Sequence, residues 1–175
     1  SLMTLEEKIG QLNQYSNDRK NTGPIINNKN HLEEIRQGKV GSMLNVTSVS
    51  RARQYQEEAM KSRLRIPLLF GMDVVHGMKT IFPIPMGEAA SFDLELMRKT
   101  AEVAAAEASA YGLHWTFAPM MDVSRDARWG RVMEGAGEDT WYGCEVAKAR
   151  VKGFQGNDYS DKRTVLACAK HFAAY

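Results

Sequence analysis

A chain of 175 residues with 43% hydrophobic content is long enough to bury a core, and its length alone suggests one domain. Its formal charge of +2 is near balance, and the densest basic stretch, Arg51, Arg53, Lys61, Arg63 and Arg65, is interleaved with Glu57 and Glu58 as on a solvated helix face, which argues against a nucleic-acid partner. The apolar stretches are far too short to span a bilayer and no signal peptide opens the sequence, which argues against a membrane protein and leaves either a cytosolic chain or one whose leader has been removed.

In chain order, residues 4–15 place Leu5, Ile9 and Leu12 at helical spacing behind Thr4, an N-cap that Glu7 completes as a capping box. Residues 17–30, rich in Asn with Gly and Pro, read as a loop, and 31–37 as a short helix stopped by Gly38. A strand follows over 40–46, a helix over 50–62 and a second strand over 67–75. Residues 80–91, with Pro83 and Pro85, read as a loop, and 93–111 as a long Ala-rich helix closed by Gly112. The third strand is 114–121, the next helix 141–155 and the fourth strand 165–172. Cys144 and Cys168 fall in a helix and a strand without metal-type spacing and read as buried free thiols, and the ten Met as core filler.

This alternation implies an α/β fold with a parallel sheet and right-handed crossovers. Pattern alone leaves open a doubly wound sheet and a (β/α) barrel. No Gly-rich phosphate turn follows the first strand, which weakens the nucleotide-binding version.

The densest information lies in residues 114–140. An apolar run of the kind a buried parallel strand needs turns abruptly into Asp122, Arg125, Asp126, Arg128, Arg131, Glu134, Glu138 and Asp139 around Trp129. A strand ending in charges, Gly and one Trp is the rim of an α/β active site, where ligands bind at the carboxyl ends of strands. Asp73 likewise ends an apolar run, where a carboxylate can accept hydrogen bonds from substrate hydroxyls; the run would leave it semi-buried, which is costly without a purpose. Lys170 and His171 close the fourth strand, and two adjacent strand residues converge on one ligand only where the backbone bends.

The run R-D-x-R-W-G-R-x-x-E-x-x-x-E-D, Arg125 to Asp139, resembles the signature of glycoside hydrolase family 3, the β-glucosidases and related exo-acting enzymes. Three further segments agree in order and spacing: Gly71-Met72-Asp73-Val74-Val75-His76-Gly77, Lys170-His171-Phe172, and the opening Met3-Thr4-Leu5-Glu6-Glu7-Lys8-Ile9-Gly10-Gln11-Leu12. Ala127 and Thr140 stand where the family often has Pro. The resemblance implies a TIM-type (β/α) barrel, of which the chain would supply about the first four β/α units as a truncated N-terminal half. The sequence stops at Tyr175 with no closing helix; a half barrel leaves apolar edge strands, so a fragment or a partner-dependent chain is expected, against a self-contained small α/β domain.

The resemblance further implies substrate-binding roles at Asp73, Arg131, Lys170 and His171, on a terminal β-linked glucosyl residue of a glycoside or oligosaccharide. Arg125 and Arg128 are expected to pair with Asp126, Glu134, Glu138 or Asp139 and hold the loop, and Asp122 to serve it too. Trp129 reads as a sugar platform or a buried loop anchor, Trp115 as core. The family's retaining mechanism needs a nucleophilic Asp and an acid/base group; neither motif occurs here, so no catalytic residue is assigned and both are expected beyond Tyr175, from the rest of the barrel and a second domain. No cofactor is implied, and Asp73 with His76 lacks a third metal ligand. The resemblance points to a periplasmic or extracellular compartment. Rival readings are a β-xylosidase or other family 3 exo-glycosidase, a non-catalytic carbohydrate-binding or assembly module, and a metal-dependent hydrolase built on Asp73 and His76.

Overall fold

Helix α1, Leu5–Leu12, begins as its sequence dictates: the Thr4 hydroxyl accepts the Glu7 N–H while the Glu7 carboxylate accepts the Thr4 N–H. The computed structural model describes residues 2–17, 31–173 and 175, so the loop expected over 17–30 lies, from residue 18 onward, outside the described residues. The chain divides into two compact units, residues 1–72 with 111–113, and 73–110 with 114–175, where length alone suggested one domain.

In the first unit the helix ends earlier than its apolar spacing implied, and β1 (Gln14–Ser16) takes up residues that the sequence reads as its last turn. Helix α2 (His31–Arg36), strand β2 (Ser42–Leu44), helix α3 (Val49–Ala59) and strand β3 (Leu69–Met72) follow. The strands are parallel, with Tyr15 opposite Met43 and Met43 opposite Phe70. Ile35, Val40, Met43, Val46, Tyr55, Leu68 and Phe70 are buried, and α2 packs on α3. Leu5, Ile9 and Leu12, the apolar stripe of α1, are instead exposed. At Gly10 a Cβ would collide with the Gly38 carbonyl, so only glycine admits this approach of α1 to the turn after α2.

The second unit holds α4 (Pro85–Ala89), α5 (Leu94–Ala110), β4 (Trp115–Thr116), a 3₁₀ turn at Val132–Glu134 and α6 (Thr140–Gln155). The Asp93 carboxylate accepts the Leu96 N–H and the Asp139 carboxylate the Tyr142 N–H, capping α5 and α6. Ala101, Ala104, Ala105 and Ala108 form the buried stripe of α5, small enough for α6 to lie close with Gly153 against the Arg98 carbonyl. Helix α4 arises inside the segment read as a loop, with Pro85 at its start, where a missing N–H costs nothing.

The third and fourth strands expected over 114–121 and 165–172 are weaker than their apolar runs implied. They run parallel, but the pairing between them consists of isolated bridges, Trp115 with Leu166 and Met120 with Lys170. Pro119 offers no N–H to the ladder and interrupts it. Two burial expectations also need correction. Cys144 is exposed because it lies off the inward stripe of α6, Val146, Ala147, Arg150, Gly153 and Phe154, while Cys168 is half-buried; both are free. Trp115 is half-buried rather than core, edge-on to Phe117 with ring centroids 4.6 Å apart. No helix among the described residues is long and apolar enough to cross a membrane.

Candidate functional site

Three of the four residues singled out as binding groups meet at one cavity of the second unit. It measures about 490 Å³ and is lined by Asp73, Val75, His76, Ile84, Pro85, Arg131, Met133, Glu134 and Lys170. Asp73 directly follows Met72, Arg131 precedes the 3₁₀ turn, and Lys170 ends the segment bridged to Met120.

Lys170 Nζ lies 3.1 Å from Asp73 Oδ1. Asp73, expected to be semi-buried, has a side chain 56% exposed, and that of Lys170 is 12% exposed. A long aliphatic stem can be buried while its ammonium reaches the cavity. Arg131 forks onto Glu134, with Nε and a terminal nitrogen each 2.5 Å from a carboxylate oxygen. Glu134 thus pairs with Arg131, not with Arg125 or Arg128 as expected, because three residues on a 3₁₀ turn bring both onto one side. Arg128 holds Asp126 on the exposed loop, in line with a scaffolding role.

His171 does not line this cavity. Its backbone N–H and its Nδ1 both meet Asp122 Oδ2, at 3.1 and 2.9 Å, and its ring stacks on Tyr175 with centroids 3.8 Å apart. Asp122 therefore anchors the His171 segment rather than the Arg loop. Tyr175 also takes a hydrogen bond from Arg131 and meets the half-buried Trp129 edge-on at 5.4 Å, so that ring neighbours an aromatic cluster.

Electrostatics restrict what these carboxylates can do. The fork from Arg131 holds the Glu134 carboxyl below the usual range against the opposing effect of burial, with smaller help from Lys170 and His171. The same hydrogen bonds push Arg131 above its ordinary value. A general acid needs the opposite shift, so Glu134 is suited to accept hydrogen bonds and not to donate a proton. Asp73, open and beside an ammonium, is likewise an acceptor, and Lys170 and Arg131 are donors. Acceptors and donors lining one open cavity together with the apolar Ile84, Pro85 and Met133 suit a polyhydroxylated ring, which has hydroxyl edges and apolar C–H faces. Among the described residues no group of three or more His, Cys, Asp and Glu side chains could hold a metal ion; His76 Nδ1 lies 3.0 Å from the Phe82 carbonyl.

Sequence reasoning passed over Glu134 as a cavity residue and over the apolar lining. The Arg131–Glu134 spacing could have revealed the first; nothing local marks Ile84 or Met133.

Similarity to known proteins extends over nearly the whole chain. Residues 4–175 match the glycosyl hydrolase family 3 N terminal domain. A periplasmic β-glucosidase of Salmonella typhimurium is 46% identical over 174 residues, covering 99% of this chain and 22% of that protein. The crystal structure of a Listeria innocua β-glucosidase in complex with isofagomine superposes with a TM-score of 0.87 at 45% identity, covering 98% of this chain and 24% of the other. An exo-1,3/1,4-β-glucanase from a Pseudoalteromonas species follows at 30% identity and a TM-score of 0.81, over 98% of this chain and 23% of that one. A β-xylosidase of Formosa agariphila is 33% identical over 71% of this chain. The chain thus spans about a quarter of the length of these relatives' own chains. Parallel β/α units in a barrel-type α/β fold, together with matches over 98–99% of the sequence, settle the family: this chain belongs to glycoside hydrolase family 3.

Proposed function

We propose that this chain is the substrate-holding N-terminal half of a (β/α) barrel domain in a retaining, exo-acting β-glucosidase. In this reading Asp73, Arg131, Lys170 and His171 form the subsite for a terminal non-reducing β-D-glucosyl residue. The observation that carries it is the cavity lined by Asp73 and Glu134 as acceptors and by Lys170 and Arg131 as donors, in a chain 43–46% identical to the β-glucosidases of Salmonella typhimurium and Listeria innocua. His171 is included on the Lys-His motif alone: its ring is held by Asp122 and stacks on Tyr175, outside the cavity lining.

The chemistry supports a division of labour. Double displacement needs two carboxyl groups about 5–5.5 Å apart, one nucleophilic and one able to donate a proton. Glu134 is held ionised with both oxygens in the Arg131 fork, which leaves it neither a proton to donate nor a free oxygen to attack, and Asp73 is tied to Lys170. The nucleophile and the acid/base group then come from the remainder of the barrel and a second domain, beyond Tyr175, and this chain alone is inactive. The periplasmic relative supports a periplasmic or extracellular location.

The test is hydrolysis of an aryl β-glucoside, with the matching β-xyloside alongside, by this chain and by the full-length protein that carries it. Turnover confined to the longer protein and to the glucoside is expected. In that protein Asp73→Ala should lower kcat/KM roughly 10- to 150-fold, the range for losing a hydrogen bond to a charged group. Turnover by residues 1–175 alone would return the chemistry to their own carboxylates, and preference for the xyloside would move the reading to β-xylosidase, which the Formosa relative represents.

A further inference from the structure

The mid-helix residue Arg150 is 4% exposed, and its partner Glu88 is 5% exposed. One terminal nitrogen of Arg150 donates to Glu88 Oε2 and the other to the Val75 carbonyl. Val75 lies two residues after Asp73 and one before His76, and lines the cavity itself. Glu88 sits on α4, whose first residue, Pro85, also lines the cavity. A single guanidinium therefore joins α6, α4 and the backbone that carries Asp73.

Stability alone does not account for this arrangement. Burial pushes Arg150 below its ordinary value while Glu88 opposes it, and among the described residues Glu88 Oε1 is buried without a hydrogen-bond partner. Buried ion pairs can usually be exchanged for apolar side chains of similar volume with little or no loss of stability. What apolar side chains cannot supply is a donor to the Val75 carbonyl. The far end of the same segment is held independently: the Glu107 carboxylate accepts the Lys79 N–H at 2.7 Å, the Thr80 N–H at 2.8 Å and the Thr80 hydroxyl at 2.6 Å.

We infer that Arg150, braced by Glu88, is a positioning residue for sugar binding, fixing through the Val75 carbonyl the backbone that presents Asp73 and His76 to the cavity. This rests on the glycone-subsite reading above. The guanidinium presents its donors to the carboxylate and the carbonyl in one rigid plane, whereas a Lys ammonium is a compact point charge on a flexible stem, so Lys is not an equivalent.

The experiment uses the full-length protein, with glucose as a competitive inhibitor of aryl β-glucoside hydrolysis and thermal unfolding as a fold control. The Arg150→Met/Glu88→Leu double variant leaves only the Val75 carbonyl without its donor, so it should stay folded and unfold closer to the wild-type midpoint than Arg150→Ala does, yet bind glucose about tenfold more weakly and show a raised KM, the scale of one lost ordering hydrogen bond. Arg150→Lys keeps a charge for Glu88 and should also weaken glucose. It decides the matter if the double variant does not fold. A folded variant of either kind with wild-type glucose affinity and KM overturns the inference. Asp73→Ala is run beside them. Unchanged glucose binding in Asp73→Ala removes the subsite reading and this inference together, whereas weakening in Asp73→Ala without weakening in the Arg150 variants removes this inference alone.

Discussion

Arg131–Glu134 and Arg150–Glu88 use the same side-chain types within one unit of the molecule, and their surroundings make them opposite devices. The first pair has side chains 34% and 24% exposed, the second 5% and 4%. At the open pair the carboxylate hydrogen bonds dominate and raise the arginine's pKa; at the closed pair burial dominates and lowers it. An open pair can exchange partners with an arriving hydroxyl at little cost, since water already competes for it. A closed pair cannot, because every group it releases would stay dry and unpaired. Exposure, not residue type, thus separates groups free to meet a ligand from those that hold the backbone behind them.

The largest effect that would break this comparison comes from truncating the closed pair on one side only. Arg150→Ala should cost about 3–5 kcal/mol, because the Glu88 carboxylate and the Val75 carbonyl lose their shared donor inside the unit. The matching Arg131→Ala should cost within about 1 kcal/mol. Urea denaturation of both variants measures the difference. Equal losses would show that the exposure contrast has no energetic consequence.

A second, smaller effect sharpens the placement of Arg150. Gly153 follows it by three residues on the same inward stripe, and a Cβ there would strike the Arg98 carbonyl and Ala101 Cβ. Gly153→Ala should therefore push α6 away from α5 at a cost of about 1–3 kcal/mol, read as a lower unfolding midpoint. A neutral or stabilising result would mean that helix propensity outweighs the close approach.

Much of this was legible before any coordinates. Capping signals and apolar periodicity placed the helices because each depends on neighbours within a few residues: Thr4 with Glu7, Gly38 after α2, Gly112 after α5. The strands were less legible. Residues 14–16 continue the spacing of α1 and become a strand only through pairing with β2. The apolar run 114–121 looks like a long strand, yet Pro119 withholds the N–H that pairing requires. At the site, Asp73, Arg131 and Lys170 were found by motif, and they meet at the cavity. The partners that orient or balance groups, Asp122 for His171 and Arg150 for Val75, join residues 49 and 75 positions apart, a separation at which no local pattern acts.

The smallest predicted effect tests the open pair through pH. The Arg131 fork keeps the folded-state pKa of Glu134 below that of the unfolded chain, where a glutamate titrates near about 4.3. Its contribution to stability is therefore fully present above that unfolded value and is lost as pH falls through the lower folded one. Solvent screening limits it to about 1 kcal/mol or less. Glu134→Gln should remove that dependence, so the variant should lose less stability than the wild type when denaturation is followed from pH 7 into the acid range. Glu7, which Arg63 and the Thr4 N–H hold at about 2, supplies a control in the first unit. Its contribution is likewise present above the unfolded value and persists until pH falls through about 2, and substitution at Glu134 should leave it untouched. If Glu134→Gln instead follows the wild-type acid limb throughout, the Arg131 fork adds nothing to folding; its retention at the cavity edge would then rest on ligand binding alone.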